Sequence, residues 1–565
     1  MRATSRVRPV NWLRGITIAL ALIHVWANRY DMNPDAISYL DIGDNYLKGD
    51  WHHALNAYWS PLYSWMLGVV MRVMRPSMEW EFPLVHAVAF VNFLFALAAF
   101  EYFLRGLMRA RELACKTSGP ETTDDSWPWL VIGYAPFVWS SLRLVTLDVL
   151  TPDMLVTALV YIAAGILVRM RMGDTRRRRF VLLGVVLGVA YLTKAAMFPI
   201  GFAFVVASGM AVGQRRLGAI RALITLVVFL VVTSPFIVAL SASKGRFTFS
   251  DAGRLAYTWF VDGRTSSTNW QGEPKETGLP AHPTRVLRTN PTIYEYATPV
   301  AGTWPPWYDA SYWNEGVKPR VRIGPQTWIT VQNLAKYATM FAAIIATLVI
   351  VGVTTGSPAL RGLRSMLYLI LPCAAGLALY TLVLVEGRYV AAFIVVLTLA
   401  ALAGMLTHDT ARATPRLLPS IAVALAIALL LPSLDVAYDE SSHVLRALVG
   451  RDDRNETAIS ARSMRKLGLH PGDEVGRIGT GFYDYWARLA RVRIIAEVPD
   501  SDVGQFWAAD SATQQEVLQT FARAGAKAVV AQSVPEWVDT SGWLCVDGEE
   551  DYVVRFVTPD SVRTR

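Results

Sequence analysis

Residues 33–51 read NPDAISYLDIGDNYLKGDW and follow directly on an apolar segment. Carboxylates crowded at the end of such a segment invite the question of what they do there. Asn33 is a helix-capping type, Pro34 suits the first helical position, Asp35 falls in the first turn and Gly49 can end the helix. On that helix Asp35, Tyr39, Ile42 and Tyr46 share one face, whereas Asp41, Asp44, Asn45 and Lys48 point elsewhere. This predicts one aspartate set apart from a solvated remainder. The pattern recurs at Thr151-Pro152-Asp153, where Thr151 is expected to cap, Pro152 to start the helix and Asp153 to follow. Two readings are open. Acidic residues near helix starts complement the macrodipole and need no other purpose; paired on one side of a membrane, Asp35 and Asp153 would form a catalytic carboxylate pair.

The elements that must position them are membrane helices. The chain has 565 residues, 53% hydrophobic and only 18% charged, with a mean hydropathy of +0.32, too apolar for an ordinary soluble protein of this size. Cys115, Cys373 and Cys545 lie far apart, so neither a disulfide framework nor a cysteine metal site is expected. The net charge of +9 sits largely in short loops between apolar runs, where topology explains it without nucleic acid.

Apolar runs at 15–27, 82–104, 127–142, 154–168, 180–193, 197–212, 219–240, 333–354, 365–385, 389–407 and 417–434 predict an α-helical polytopic membrane protein with about 11 transmembrane helices. Every second loop is basic: Arg2 to Arg14, Arg105 to Lys116, Arg169 to Arg179, Arg215 to Arg221, Arg361 with Arg364, and Arg412 with Arg416. That bias places the N-terminus in the cytoplasm and the loops 28–81, 141–153 and 241–332 outside. Asn28-Arg29-Tyr30 offers no small-x-small site, so the first span is read as a helix and not as a cleaved leader. Segment 59–75, interrupted by Ser60-Pro61, Arg72 and Arg75, reads as a helix lying at the interface. The short runs on either side of Lys194 mark a cavity more readily than lipid contact.

The chain divides into a transmembrane domain, 1–435, and a small extracytoplasmic α/β domain, 436–565. In the latter, short apolar strands at 475–478, 492–496, 528–531 and 552–557 alternate with a helix at 511–524. The tail has no glycine-rich phosphate loop. The loop 241–332 is polar, proline-rich and dense in aromatics, among them Trp304, Trp307 and Trp313. Loops of that length are functional or disordered, and the tryptophans argue against disorder.

With an outward Asp35-x-x-x-Tyr39 helix, Gly49-Asp50-Trp51, Trp59-Ser60-Pro61-Leu62-Tyr63, Thr151-Pro152-Asp153, Leu192-Thr193-Lys194 and Glu386-Gly387-Arg388-Tyr389 in this order, the chain resembles the GT-C superfamily of polyprenyl-phosphate-sugar-dependent glycosyltransferases. That group includes protein O-mannosyltransferases and the lipid A aminoarabinose transferase. The resemblance spans roughly residues 10–435, and it departs from the family in one place: the first loop commonly reads Asp-Glu, and here Ala36 follows Asp35.

The resemblance implies an inner-membrane enzyme that moves a sugar, with inversion, from a polyprenyl phosphate to an extracytoplasmic glycan, lipid or protein acceptor. Such transfer needs a base for the acceptor hydroxyl and cations for the departing phosphate. Asp35 is then the base and Asp153 its support or the acceptor's guide. Lys194 and Arg388 would bind phosphate, with Tyr39 and Tyr389 in the substrate site, and the aromatic loop would offer ring faces to sugars. No cofactor is expected and no metal constellation is indicated, since His52-His53 are adjacent and not spaced along one helix face; a divalent ion held by Asp35 and Asp153 stays open but unforced. The rival reading is a transporter or lipid-linked-sugar flippase using the same charged cavity, for which no internal repeat is visible.

Overall fold

The computed structural model describes residues 2–116, 126–264, 268–273, 278–281, 284–296, 299–406, 416–448, 454–548 and 551–558; Arg412, used above for orientation, lies outside them. The chain groups into two compact units. One comprises Met1–Arg29, His86–Gly263 and Arg320–Arg451, the other Tyr30–Val85, Arg264–Pro319 and Asp452–Arg565.

The first unit is helical throughout its apolar runs. Among the described residues five helices are long and apolar enough to cross a membrane: Val10–Ala27, Glu81–Leu113, Asp153–Arg171, Arg215–Lys244 and Gly387–Met405. The number reaches eight if each of three sharply bent pairs counts as one span, as in Ile323–Met340 with Ala342–Thr355. About eleven were expected, and the difference lies in short segments such as Met197–Met210 and in these bends. A single charge node ties three basic and acidic positions together. Glu101 accepts both forks of Arg14, at 2.8 and 2.7 Å, together with the Tyr134 hydroxyl at 2.7 Å and Arg105. A bidentate guanidinium–carboxylate pair of this kind fixes geometry as well as charge.

The helix Ser126–Trp139 runs into a π-helical turn, Ser140–Val145, and Thr146 follows with φ 62. Widened turns of this sort interrupt a helix where the chain must be re-aimed. Here the chain leaves the turn, passes Leu147 and Asp148, and reaches the Asp153–Arg171 helix through Thr151 and Pro152.

In the second unit the expected first helix is present as Pro34–Lys48, closed by Gly49 at φ 76. It packs on the helix Pro61–Met74. The crossing is so close that a Cβ on Gly43 would stand 2.6 Å from the Ser64 carbonyl oxygen, and one on Gly68 2.9 Å from that of Gly43. A seven-stranded sheet completes the unit in the order β1-β2-β4-β3-β5-β7-β6, with β1 Arg285–Arg288, β2 Ile293–Glu295, β3 Glu474–Ile478, β4 Arg493–Val498, β5 Ala528–Gln532, β6 Leu544–Cys545 and β7 Tyr552–Phe556. The β4-β3-β5 core is parallel and the remainder antiparallel. Strands β3, β4, β5 and β7 and the helix Ser511–Arg523 lie where the tail's apolar pattern put them.

Two expectations need correction here. The 241–332 segment, read as a loop, carries strands β1 and β2, which extend the tail's sheet through Tyr294↔Glu497 and Glu295↔Ala496. Its tryptophans Trp304 and Trp307 are core residues, not open ring faces. Nor are Asp41 and Asp44 part of a solvated remainder. Asp41 is 1% exposed, with Arg488 on one oxygen at 2.7 Å and the Thr303 amide on the other at 2.8 Å. The helical period groups them correctly on another face, but that face is covered by residues distant in sequence.

Candidate active site

Asp153 opens its helix fully buried, and the chain brings cations to it from two separate segments. Lys194, in extended backbone (φ −153, ψ 124) after the Arg177–Thr193 helix, is paired with Asp153 Oδ1. The Thr151 hydroxyl donates to Oδ2 at 2.9 Å, and Arg388 Nε stands 3.9 Å from the same oxygen. Thr151 was expected to cap the helix; instead Pro152 occupies the cap position and the hydroxyl holds the carboxylate.

Tyr389 closes the group. Its ring lies under the Lys194 ammonium, 3.7 Å from Nζ to the centroid, and its hydroxyl accepts from Arg388 Nη2 at 3.2 Å. Tyr380 stacks with it at 5.3 Å between ring centres. Four of the residues singled out from the sequence, Asp153, Lys194, Arg388 and Tyr389, are therefore neighbours within one unit. The Lys194 and Arg388 side chains keep 22% and 24% of their surface exposed, while Asp153 keeps 2%. A buried carboxylate thus anchors two cations whose side chains stay partly exposed. Such an arrangement can receive a second, arriving anion: the guanidinium presents a planar fork and the ammonium a point charge, the pairing that suits phosphate oxygens.

Asp35 and Tyr39 belong to the other unit. Asp35 lies half-buried in the first turn of the Pro34–Lys48 helix. Tyr39 is buried, and its ring meets that of Tyr63 edge-on at 5.1 Å, so its aromatic surface is engaged in packing. Among the described residues no group of three or more His, Cys, Asp or Glu side chains is placed to hold a metal ion.

Sequence reasoning passed over three residues that shape these sites. Tyr380 carries no motif and was lost in an apolar run. Arg488 joins Asp41, Asp44 and Glu81 from more than four hundred positions away. Glu497, fully buried, accepts from Asn269, Trp304 and the Gly481 amide. A carboxylate following an apolar run, as in Arg493-Ile-Ile-Ala-Glu497-Val498, was the one available signal for it.

No family model matches the chain, and no curated protein does. Solved structures do. ArnT from Cupriavidus metallidurans in the apo state aligns with a TM-score of 0.50 at 14% identity, over 98% of this chain and 98% of that one. The same protein bound to undecaprenyl phosphate aligns at 0.49 with 16% identity, over 96% and 97%. The Archaeoglobus fulgidus oligosaccharyltransferase in the apo form aligns at 0.46 with 12% identity, over 92% and 69%. The match to apo ArnT shows a shared fold over nearly the whole length of both chains.

Proposed function

We propose that this chain is an integral membrane glycosyltransferase. It takes a sugar from a polyprenyl-phosphate donor at the extracytoplasmic face and passes it, with inversion, to an acceptor hydroxyl. The shared fold with ArnT carries this reading, and ArnT itself has been solved with undecaprenyl phosphate bound. The cluster on Asp153 supplies the matching chemistry.

In the proposed step the acceptor oxygen bonds to the anomeric carbon as the bond from that carbon to the phosphate oxygen breaks. A single displacement inverts the centre. The acceptor proton goes to Asp35, whose carboxylate in the first helical turn is the proposed base. The departing polyprenyl phosphate gathers negative charge, which Lys194 and Arg388 neutralise while Asp153 and Tyr389 hold them in place. Cations at membrane depth are costly without an anion, and a lipid phosphate provides one at each turnover.

Mass spectrometry of envelope glycans from cells with and without the protein tests this. A sugar that disappears with the protein and returns with the wild-type chain, but not with Asp35→Asn, is the expected result. An unchanged glycan profile would end the transferase reading and favour transport.

A further inference from the structure

The second unit contains a cavity of about 550 Å³ that none of the proposed catalytic or phosphate-binding residues lines, within the size of small-molecule sites, roughly 300–1,000 Å³. It opens at the carboxyl ends of the parallel strands β3 and β4, because the segments leaving them contribute Phe482 with Tyr483 and Asp500 respectively. Open α/β sheets place ligands at that end of their strands. The other wall comes from the aromatic segment: Asn269, Tyr294 and Trp313.

The chemistry of this lining is selective. Four aromatic rings face the space, with Phe482 edge-on to Trp313 at 6.3 Å. The polar groups are an amide, hydroxyls and one carboxylate, and neither lysine nor arginine lines it. Asn269 is fixed through its amide, which donates to the buried Glu497 at 3.2 Å, and Asp500 is fixed by the Thr480 amide at 2.8 Å. With one carboxylate and no cation in the lining, an anionic ligand such as a nucleotide or a free phosphate is disfavoured. A ligand with apolar faces and a rim of hydroxyl donors and acceptors fits: the faces lie on the rings and the hydroxyls meet the amide and the carboxylate. An extended peptide would seek a sheet edge, and this cavity lies at strand ends.

We propose that this cavity binds a neutral carbohydrate chain, the acceptor glycan of the transfer reaction. The proposal rests on the transferase reading only in naming that glycan as the acceptor, because binding is measurable without turnover.

The test uses the full-length protein in detergent and saturation-transfer NMR with four probes: cellotetraose, maltotetraose, chitotetraose and mannotetraose. At least one should bind, and Tyr483→Ala, at an aromatic residue 67% exposed, should weaken it about tenfold. Asp500→Asn, which keeps an oxygen for the Thr480 amide, should weaken it several-fold. Binding of none of the four overturns the proposal. So does binding that survives both Tyr483→Ala and Asp500→Asn, or binding of a tetra-arginine peptide in place of every sugar. Intact, Tyr483-dependent binding in a protein that transfers no sugar would sink the transferase reading alone.

Discussion

The Arg488 guanidinium donates from Nη1 to Asp41 Oδ1 at 2.7 Å and to Asp44 Oδ2 at 2.6 Å, and from Nε to Glu81 Oε1 at 2.8 Å. Arg491 adds a second pairing to Glu81. The tail is thus bolted to the segment that follows the first apolar helix. Burial raises the Asp41 carboxyl above its ordinary range even with Arg488 beside it. At the less buried Asp44 burial pushes the same way, but the pull of Arg488 prevails and the carboxyl sits below its ordinary range.

Removing one partner of a buried ion pair strands the other. Arg488→Met is therefore expected to destabilise the second unit by about 3–5 kcal/mol. Asp41→Asn should cost about 1–3 kcal/mol, since the amide oxygen can still accept from Thr303. The double variant should lose less than the two losses added. Urea unfolding of the four proteins measures this; strict additivity would mean the two residues do not interact.

The Gly43–Gly68 crossing gives a second stability test. A methyl on Gly43 meets backbone 2.6 Å away, which cannot rotate aside. Gly43→Ala should cost about 1–3 kcal/mol through a forced shift of the Pro61–Met74 helix. Gly504→Ala, in the Asp500–Ala508 helix with open space at its Cβ, should be neutral or slightly stabilising. Equal thermal shifts for the two would refute the close packing.

Glu497 predicts a pH dependence. Burial lifts its carboxyl from 4.5 to about 7, against the Asn269, Gly481 and Trp304 donors that lower it. The folded state then holds the proton more tightly than the unfolded chain, so stability falls as pH rises from about 4.5 to about 7. Glu497→Gln cannot titrate and lacks this slope. Relative to wild type it should gain roughly 2 kcal/mol between pH 5 and pH 7.5, at about 1.4 kcal/mol per unit. Parallel stability–pH curves for the two proteins would show that Glu497 titrates normally.

Topology can be read from native cysteines. Cys545 is exposed and Cys373 buried. With the tail outside, an impermeant maleimide should label wild-type protein in spheroplasts and leave Cys545→Ser unlabelled. In a Cys115→Ser background, labelling of Cys545 that requires permeabilisation would reverse the orientation and every outward assignment with it.

Local chemistry was legible and remote chemistry was not. Pro34 and Gly49 carry their own backbone preferences, so the helix between them could be drawn from sequence. Asp153, Lys194, Arg388 and Tyr389 were legible because each is a charged or polar exception beside an apolar run. What covers a helix face has no local signature: Asp41 looks the same whether water or Arg488 meets it. The aromatic segment shows the same limit. Its strand β2 is three residues long and acquires meaning only by pairing with β4, two hundred positions later. Tyr39 shared a face with Asp35 as read, yet the helix Pro61–Met74 turned that face into a packing surface.

Arg388 permits the most direct test of the proposed donor site. Its guanidinium spans three groups at once: Nε faces Asp153 at 3.9 Å, Nη2 donates to the Tyr389 hydroxyl at 3.2 Å, and its plane lies 5.1 Å from the Tyr389 ring centre. Lysine keeps the charge and can pair with Asp153, so Arg388→Lys should fold and insert normally. It cannot present a planar fork to two phosphate oxygens. If Arg388 holds the donor phosphate, donor use should fall about ten- to a hundredfold, equivalent to roughly 1.4–2.8 kcal/mol of a charged hydrogen bond. Tyr389→Phe keeps the ring beneath Lys194 and removes only the hydroxyl, so its loss should be smaller, about two- to tenfold, for a hydrogen bond worth roughly 0.5–1.5 kcal/mol. A residue that merely reaches for the headgroup region would tolerate lysine without change. Kinetics with purified protein and a polyprenyl-phosphate sugar decide the matter: wild-type donor use in Arg388→Lys would remove this arginine from the site.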